Sequence, residues 1–146
     1  MIKQILAFFE SAQEEAGNDL TVDDAAAVLL IEIMMADHEM EQRERQSIAT
    51  ILARRLAVPE SEINQCIEAA IDRRQSSYDL YQFTKVINDN WQEPERYELI
   101  VDLWRVAFAD GDLDKYEDQR IRRVNEALHL HHSHFIKAKA EAQNNL

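Results

Sequence analysis

Two stretches of the chain carry carboxylates in the same arrangement: Ala36-Asp37-His38-Glu39-Met40-Glu41-Gln42-Arg43-Glu44 and Ala109-Asp110-Gly111-Asp112-Leu113-Asp114-Lys115-Tyr116-Glu117. In each, an Asp follows an apolar stretch and a Glu stands seven residues later. Carboxylate oxygens are hard ligands, so Asp37, Glu44, Asp110 and Glu117 brought together would suit calcium, magnesium or manganese. Both Asp positions fall where a helix is expected to end. The helix dipole is negative there and disfavours an anion, so a compensating cation is one reason for the pattern. Turn chemistry is the other. Asp114-x-x-Glu117 fits a capping box, Glu41-x-x-Glu44 fits a poorer one, and Gly111 suits a left-handed helix end. One Asp can serve both roles. Asp110-x-Asp112-x-Asp114 begins like an EF-hand loop, but Lys115 replaces the required glycine and Ile121 the bidentate Glu.

The histidines offer a second chemistry. His129, His131, His132 and His134 crowd one junction, and imidazole clusters bind zinc, nickel or copper. Neighbours in sequence need not converge, and imidazoles also favour a negative helix end, so the junction reads first as a solvated turn. Glu126-x-x-His129 has the spacing of di-iron bundles, which need a second copy, and Ala53 stands where that copy would place its Glu. Cys66, the single cysteine, sits among Ile63, Ile67 and Ala70 as a core filler, with no histidine or basic group placed beside it by spacing. Neither Gly-x-Ser-x-Gly nor a Gly-rich phosphate loop occurs. The sequence therefore predicts a protein that is not an enzyme. Trp91 lies in Asn88-Asp89-Asn90-Trp91-Gln92-Glu93-Pro94, where an exposed aromatic would anchor a protein partner. That defines an alternative function: a metal-independent scaffold whose acidic surface and Trp91 loop recruit a basic or amphipathic partner.

Composition narrows the classes further. Sixteen basic residues against 28 acidic give a net charge of −12, a field that repels phosphate backbones and excludes nucleic acid as a partner. The longest apolar run, Ala25 to Ala36, contains Glu32 and is well short of the ~20 residues a bilayer span needs, so no membrane insertion is expected. Met1 to Glu10 is amphipathic and lacks the marks of a secretion signal, which predicts a cytoplasmic protein.

At 146 residues, one domain is expected to cover residues 1–146. Only two glycines and two prolines stand among abundant Ala, Leu, Ile, Glu, Gln and Arg, which predicts an all-α fold. Ile2, Ile5, Leu6, Phe9 and Ala12 recur at helical spacing, and Gly17-Asn18 ends that helix. Thr21 caps a second helix that is apolar on nearly every side through Met35. A third runs from about Glu41 to Leu56, and a fourth from about Ser61 to Arg73 after the break at Pro59. About Tyr78–Asn88, Pro94–Ala109, Asp114–Leu128 and Ser133–Gln143 repeat this order. From Asp37 to Asp110 the offset is 73, as it is from Glu44 to Glu117. Leu30 and Leu103, Ile48 and Ile121, Ile63 and Ile136, and Glu68-Ala69 and Glu141-Ala142 match at the same offset. An internal repeat of about 1–73 and 74–146 follows, in which two four-helix halves pack as one bundle about a pseudo-two-fold axis. Glu32 and Arg105 share that offset and are expected to pair across it.

An Ala-Asp-Gly turn after an apolar helix, with Glu seven residues past the Asp and Ile four further on, resembles the TerB-like (tellurite-resistance B) family, which includes the N-terminal domain of DjlA-type co-chaperones. The resemblance covers roughly Asp24 to Leu130. It implies about seven or eight helices, with the acidic turns as divalent-cation sites at Asp37, Glu44, Asp110 and Glu117. It also implies a link to tellurite or other stress responses and to membrane-associated protein complexes. The first turn departs from the pattern, with His38 in place of Gly, and no His-Pro-Asp of a J-domain occurs.

Overall fold

The computed structural model describes residues 5–6, 21–35, 42–72, 81–109 and 115–144. Among them are seven helices and no strand: α1 (Val22–Met35), α2 (Gln42–Leu56), α3 (Glu60–Asp72), α4 (Tyr81–Asn90), α5 (Glu93–Ala107), α6 (Lys115–Ala127) and α7 (His132–Asn144). Ile5 and Leu6 are also helical, and Ile5 is buried in the core. The all-α bundle expected from composition is therefore the fold, with helix ends within a few residues of those the periodicity predicts.

Helix α1 starts where its cap dictates. The Thr21 hydroxyl oxygen accepts the backbone N–H of Asp24 at 3.2 Å, and Asp23 and Asp24 occupy the first turn, where the dipole favours them. Every residue from Ala25 to Ile31 is buried, because α1 touches α2, α3, α4, α5 and α6. A helix apolar on all sides belongs in such a place. The other central helix, α5, begins with Pro94 in its first turn, while the Glu95 carboxylate accepts the Gln92 N–H at 3.2 Å. It buries Leu99 to Trp104, Val106 and Ala107, and it packs on α1, α2, α6 and α7.

Helix pairings recur between the halves. The pairs α1–α2, α1–α3 and α2–α3 all pack, as do α5–α6, α5–α7 and α6–α7, and α2 meets α5 as α6 meets α1. The register does not run ungapped to the C-terminus, however. Helices α2 and α6 both end on a residue with positive φ, Ala57 at 55° and His129 at 58°. In both, the next N–H bonds five residues back, Val58 to the Ala53 carbonyl at 3.1 Å and Leu130 to the Asn125 carbonyl at 3.0 Å. That is one helix-ending turn used twice, and its copies stand 72 apart, not 73. The last helix follows the shorter offset. Ile63 and Cys66 on α3 correspond in burial to Phe135 and Ala138 on α7, whereas Ile136, the residue that matches Ile63 at 73, is 50% exposed. One residue of slip rotates a helix face by about 100°. Ile63 and Ile136 therefore match in letter but not in burial.

Candidate functional site

Glu117 is the one predicted cation ligand whose side chain lies within the described part of the structure. It stands in the first turn of α6 and is 3% exposed. Glu44 falls in the first turn of α2, with its side chain outside the described set, and Asp37 and Asp110 lie outside the described residues, as does Asp114. Among the described residues no three His, Cys, Asp or Glu side chains converge as metal ligands would. Glu117 is buried and has interactions of its own, as a carboxyl group withdrawn from water requires.

The four C-terminal histidines serve separate purposes. His129 supplies the left-handed residue that ends α6. His131 caps α7: its Nδ1 accepts the Ser133 N–H at 3.1 Å and lies 2.9 Å from the Ser133 hydroxyl. His132 stacks on Phe135 at 5.6 Å between centroids. His134 sets its Nε2 2.8 Å from Glu93 and its ring edge-on to Tyr97. Beneath them Asn125 donates to the carbonyls of Leu130 and His131, while Asn88 donates to Ala127 and Arg96 to Leu128. Side-chain donors thus take up the carbonyls of the chain reversal, in keeping with its reading as a helix junction, while Asn88 Oδ1, Arg96 Nε, Asn125 Oδ1 and His134 Nδ1 are buried without a hydrogen bond.

Tyr97 and Glu141 close the far side of the α5–α7 interface. The phenol donates to Glu141 Oε2 at 2.5 Å, and Lys137 sits 5.4 Å from the ring centroid. Burial foremost, then the hydrogen bond to Glu141, then the negative charges of Glu141 and Glu98 push the Tyr97 phenol well above the usual tyrosine range.

Trp91 is not the exposed anchor that its loop suggests. It is 9% exposed, and the Arg55 guanidinium lies 5.8 Å from its ring centroid. The loop is short, and the bond from the Trp91 N–H to the Ile87 carbonyl at 2.8 Å continues the end of α4, which turns the indole inward. Among the described residues, the large apolar side chains that do face solvent are Tyr81 and Ile136.

One charged cluster escaped the sequence reading. Asp102 is buried in α5, and its Oδ2 accepts Arg55 Nε at 2.7 Å and Nη2 at 2.6 Å, while Oδ1 accepts Arg105 Nη1 at 2.8 Å. Arg105 thus pairs within its own helix; the side chain of Glu32, its expected partner, lies outside the described set. The available signal was a single Asp inside the apolar run Leu99 to Phe108. Its partner Arg55 is 47 residues away, at the end of another helix, where no periodicity points.

These features define an acid-rich, all-helical bundle built on two buried central helices, with a buried carboxylate opening α6. The chain belongs to the TerB family: the family model described as tellurite resistance protein TerB matches residues 23–140. No curated protein and no solved structure matches it, so the resemblance to DjlA-type co-chaperones gains no support beyond the sequence motif. Among the described residues no helix is long and apolar enough to cross a membrane.

Proposed function

We propose that this chain is a non-enzymatic accessory protein of the tellurite or stress-response type, acting in the cytoplasm, whose acidic inter-helix turns take up a divalent cation through Asp37, Glu44, Asp110 and Glu117. The observation that supports this reading is the burial of Glu117 in the first turn of α6, seven residues after Asp110. A cation at these turns would offset repulsion between carboxylates in a chain of net charge −12 and stiffen the entries to α2 and α6. Calcium, magnesium and manganese are the ions that oxygen donors favour.

Isothermal titration of the metal-stripped protein with each ion, repeated on Asp110→Asn and Glu117→Gln, tests it. Saturable heat in the wild type that both variants lose is the expected result. No heat from any of the three ions would sink the proposal and leave the metal-independent scaffold in front. On that second reading a protein partner, within a membrane-associated complex, would engage exposed Tyr81 and Ile136.

A further inference from the structure

We infer that Arg55 and Arg105, clamped side by side by the buried carboxylate of Asp102, form a binding site for a small oxyanion of the phosphate type. Asp102 touches both guanidiniums through opposite oxygens, so the two cations lie next to each other although they come from different helices. One carboxylate against two guanidiniums leaves an excess positive charge, and neither arginine has a second ion pair among the described residues. Arg55 spends Nε and Nη2 on Asp102, and Arg105 spends only Nη1. A guanidinium carries five N–H donors in a fixed plane, so most donors of the pair remain available. They face water: the Arg55 and Arg105 side chains are 24% and 29% exposed, and none of their nitrogens is among the buried atoms that lack a partner.

The pair is also held still. Asp102 is 7% exposed at its side chain and sits on a helix buried at Val101, Leu103 and Trp104, so the carboxylate that aligns the arginines cannot swing. The Arg55 guanidinium also lies 5.8 Å from the centroid of the buried Trp91 ring. Two guanidiniums fixed by one buried acid offer neighbouring donors at little entropic cost, which favours recognition of an oxyanion. The ends of α2 and α5 attract these cations through their dipoles but use none of their outward donors. In a chain this acidic, a local positive site selects for anions small enough to approach it without meeting the surrounding carboxylates. This inference is independent of the cation reading, since it uses none of the four acidic positions.

The test is isothermal titration of the full chain with inorganic phosphate near pH 7, against chloride at matched ionic strength, with Arg105→Gln and the control Arg122→Gln. Arg105→Gln leaves the Arg55–Asp102 pair intact. Saturable binding is expected in the wild type and in Arg122→Gln, weakened about 10- to 100-fold in Arg105→Gln through loss of charged hydrogen bonds. No saturable binding in the wild type, or undiminished binding in Arg105→Gln, overturns the assignment. Should Arg105→Gln lose its helical circular dichroism, the wild type alone decides: phosphate must shift the Nε–Hε NMR signals of Arg55 and Arg105 more than that of Arg122, and equal shifts overturn the site.

Discussion

Helices α3 and α7 each pack on the two preceding helices of their own half, but different chemistry holds them. Polar contacts to α2 edge α3: Arg45 meets Glu68 at 2.6 Å and Asn64 at 3.4 Å, and Gln46 and Thr50 both reach Glu60. Against α5, α7 sets Phe135 edge-on to Trp104 at 5.1 Å between centroids, and the Tyr97–Glu141 bond and the His134–Glu93 pair join the same two helices. Ala138 and Ala142 fill the rest of that face, and small side chains let two helices approach closely. Solvent weakens the charged edge of α3, where Glu68 is 58% exposed, whereas the aromatic contact of α7 is dry. Helices α3 and α7 thus share their pattern of helix pairings but differ in the aromatic contact that α7 alone makes with α5 among the described residues.

Substitutions can break this comparison, and the largest effect is expected at Phe135. Phe135→Ala removes the ring that meets Trp104 and should cost about 3–5 kcal/mol in urea denaturation, with Ile63→Ala, at the corresponding place on α3, costing about 2–5 kcal/mol. A loss below about 1 kcal/mol at Phe135 would show that the α5–α7 contact is not what anchors the last helix. Tyr97→Phe should cost about 0.5–1.5 kcal/mol near neutral pH, through loss of the bond to Glu141. Because the folded protein holds the Tyr97 proton more tightly than the unfolded chain does, this contribution is present below the unfolded value of about 10 and fades as pH rises above it. Melting curves from pH 8 to 11 should therefore fall less steeply for Tyr97→Phe than for the wild type, and parallel curves would contradict the raised phenol.

Smaller effects sharpen the contrast. Glu68→Ala should cost about 0–1 kcal/mol and less at high salt, as exposed ion pairs do. Ile136→Ala should change stability by no more than about 0.5 kcal/mol, the usual limit for a surface substitution away from packed features. Set beside Ile63→Ala, it is a direct test of register. If Ile136→Ala proves as costly as Ile63→Ala, the 73-residue match extends into α7 after all.

How much of the molecule was legible beforehand depends on the kind of pattern involved. Apolar spacing marked every described helix, Thr21 marked the start of α1, and the uninterrupted run from Ala25 marked a buried centre, since each is a local property read along one helix. The placement of Glu117 in the first turn of α6 was legible for the same reason, but its burial was not. Trp91 was misread because polar neighbours suggest an exposed loop, while the fold buries the indole beside Arg55 of a helix distant in sequence. The match of Ile63 with Ile136 was misread because matching letters carry no information about which face of a helix is turned inward.

The sequence by itself determined the all-α class, the order and approximate limits of the helices, and membership of the TerB family, because helix propensity, capping and apolar period act over a few neighbouring residues. Only the tertiary structure decided that Asp102 gathers Arg55 and Arg105, that four adjacent histidines part company, and that Phe135 rather than Ile136 faces the core. Those outcomes depend on how helices rotate and cross, and a rotation of one residue, about 100°, exchanges core for solvent without changing any local signal.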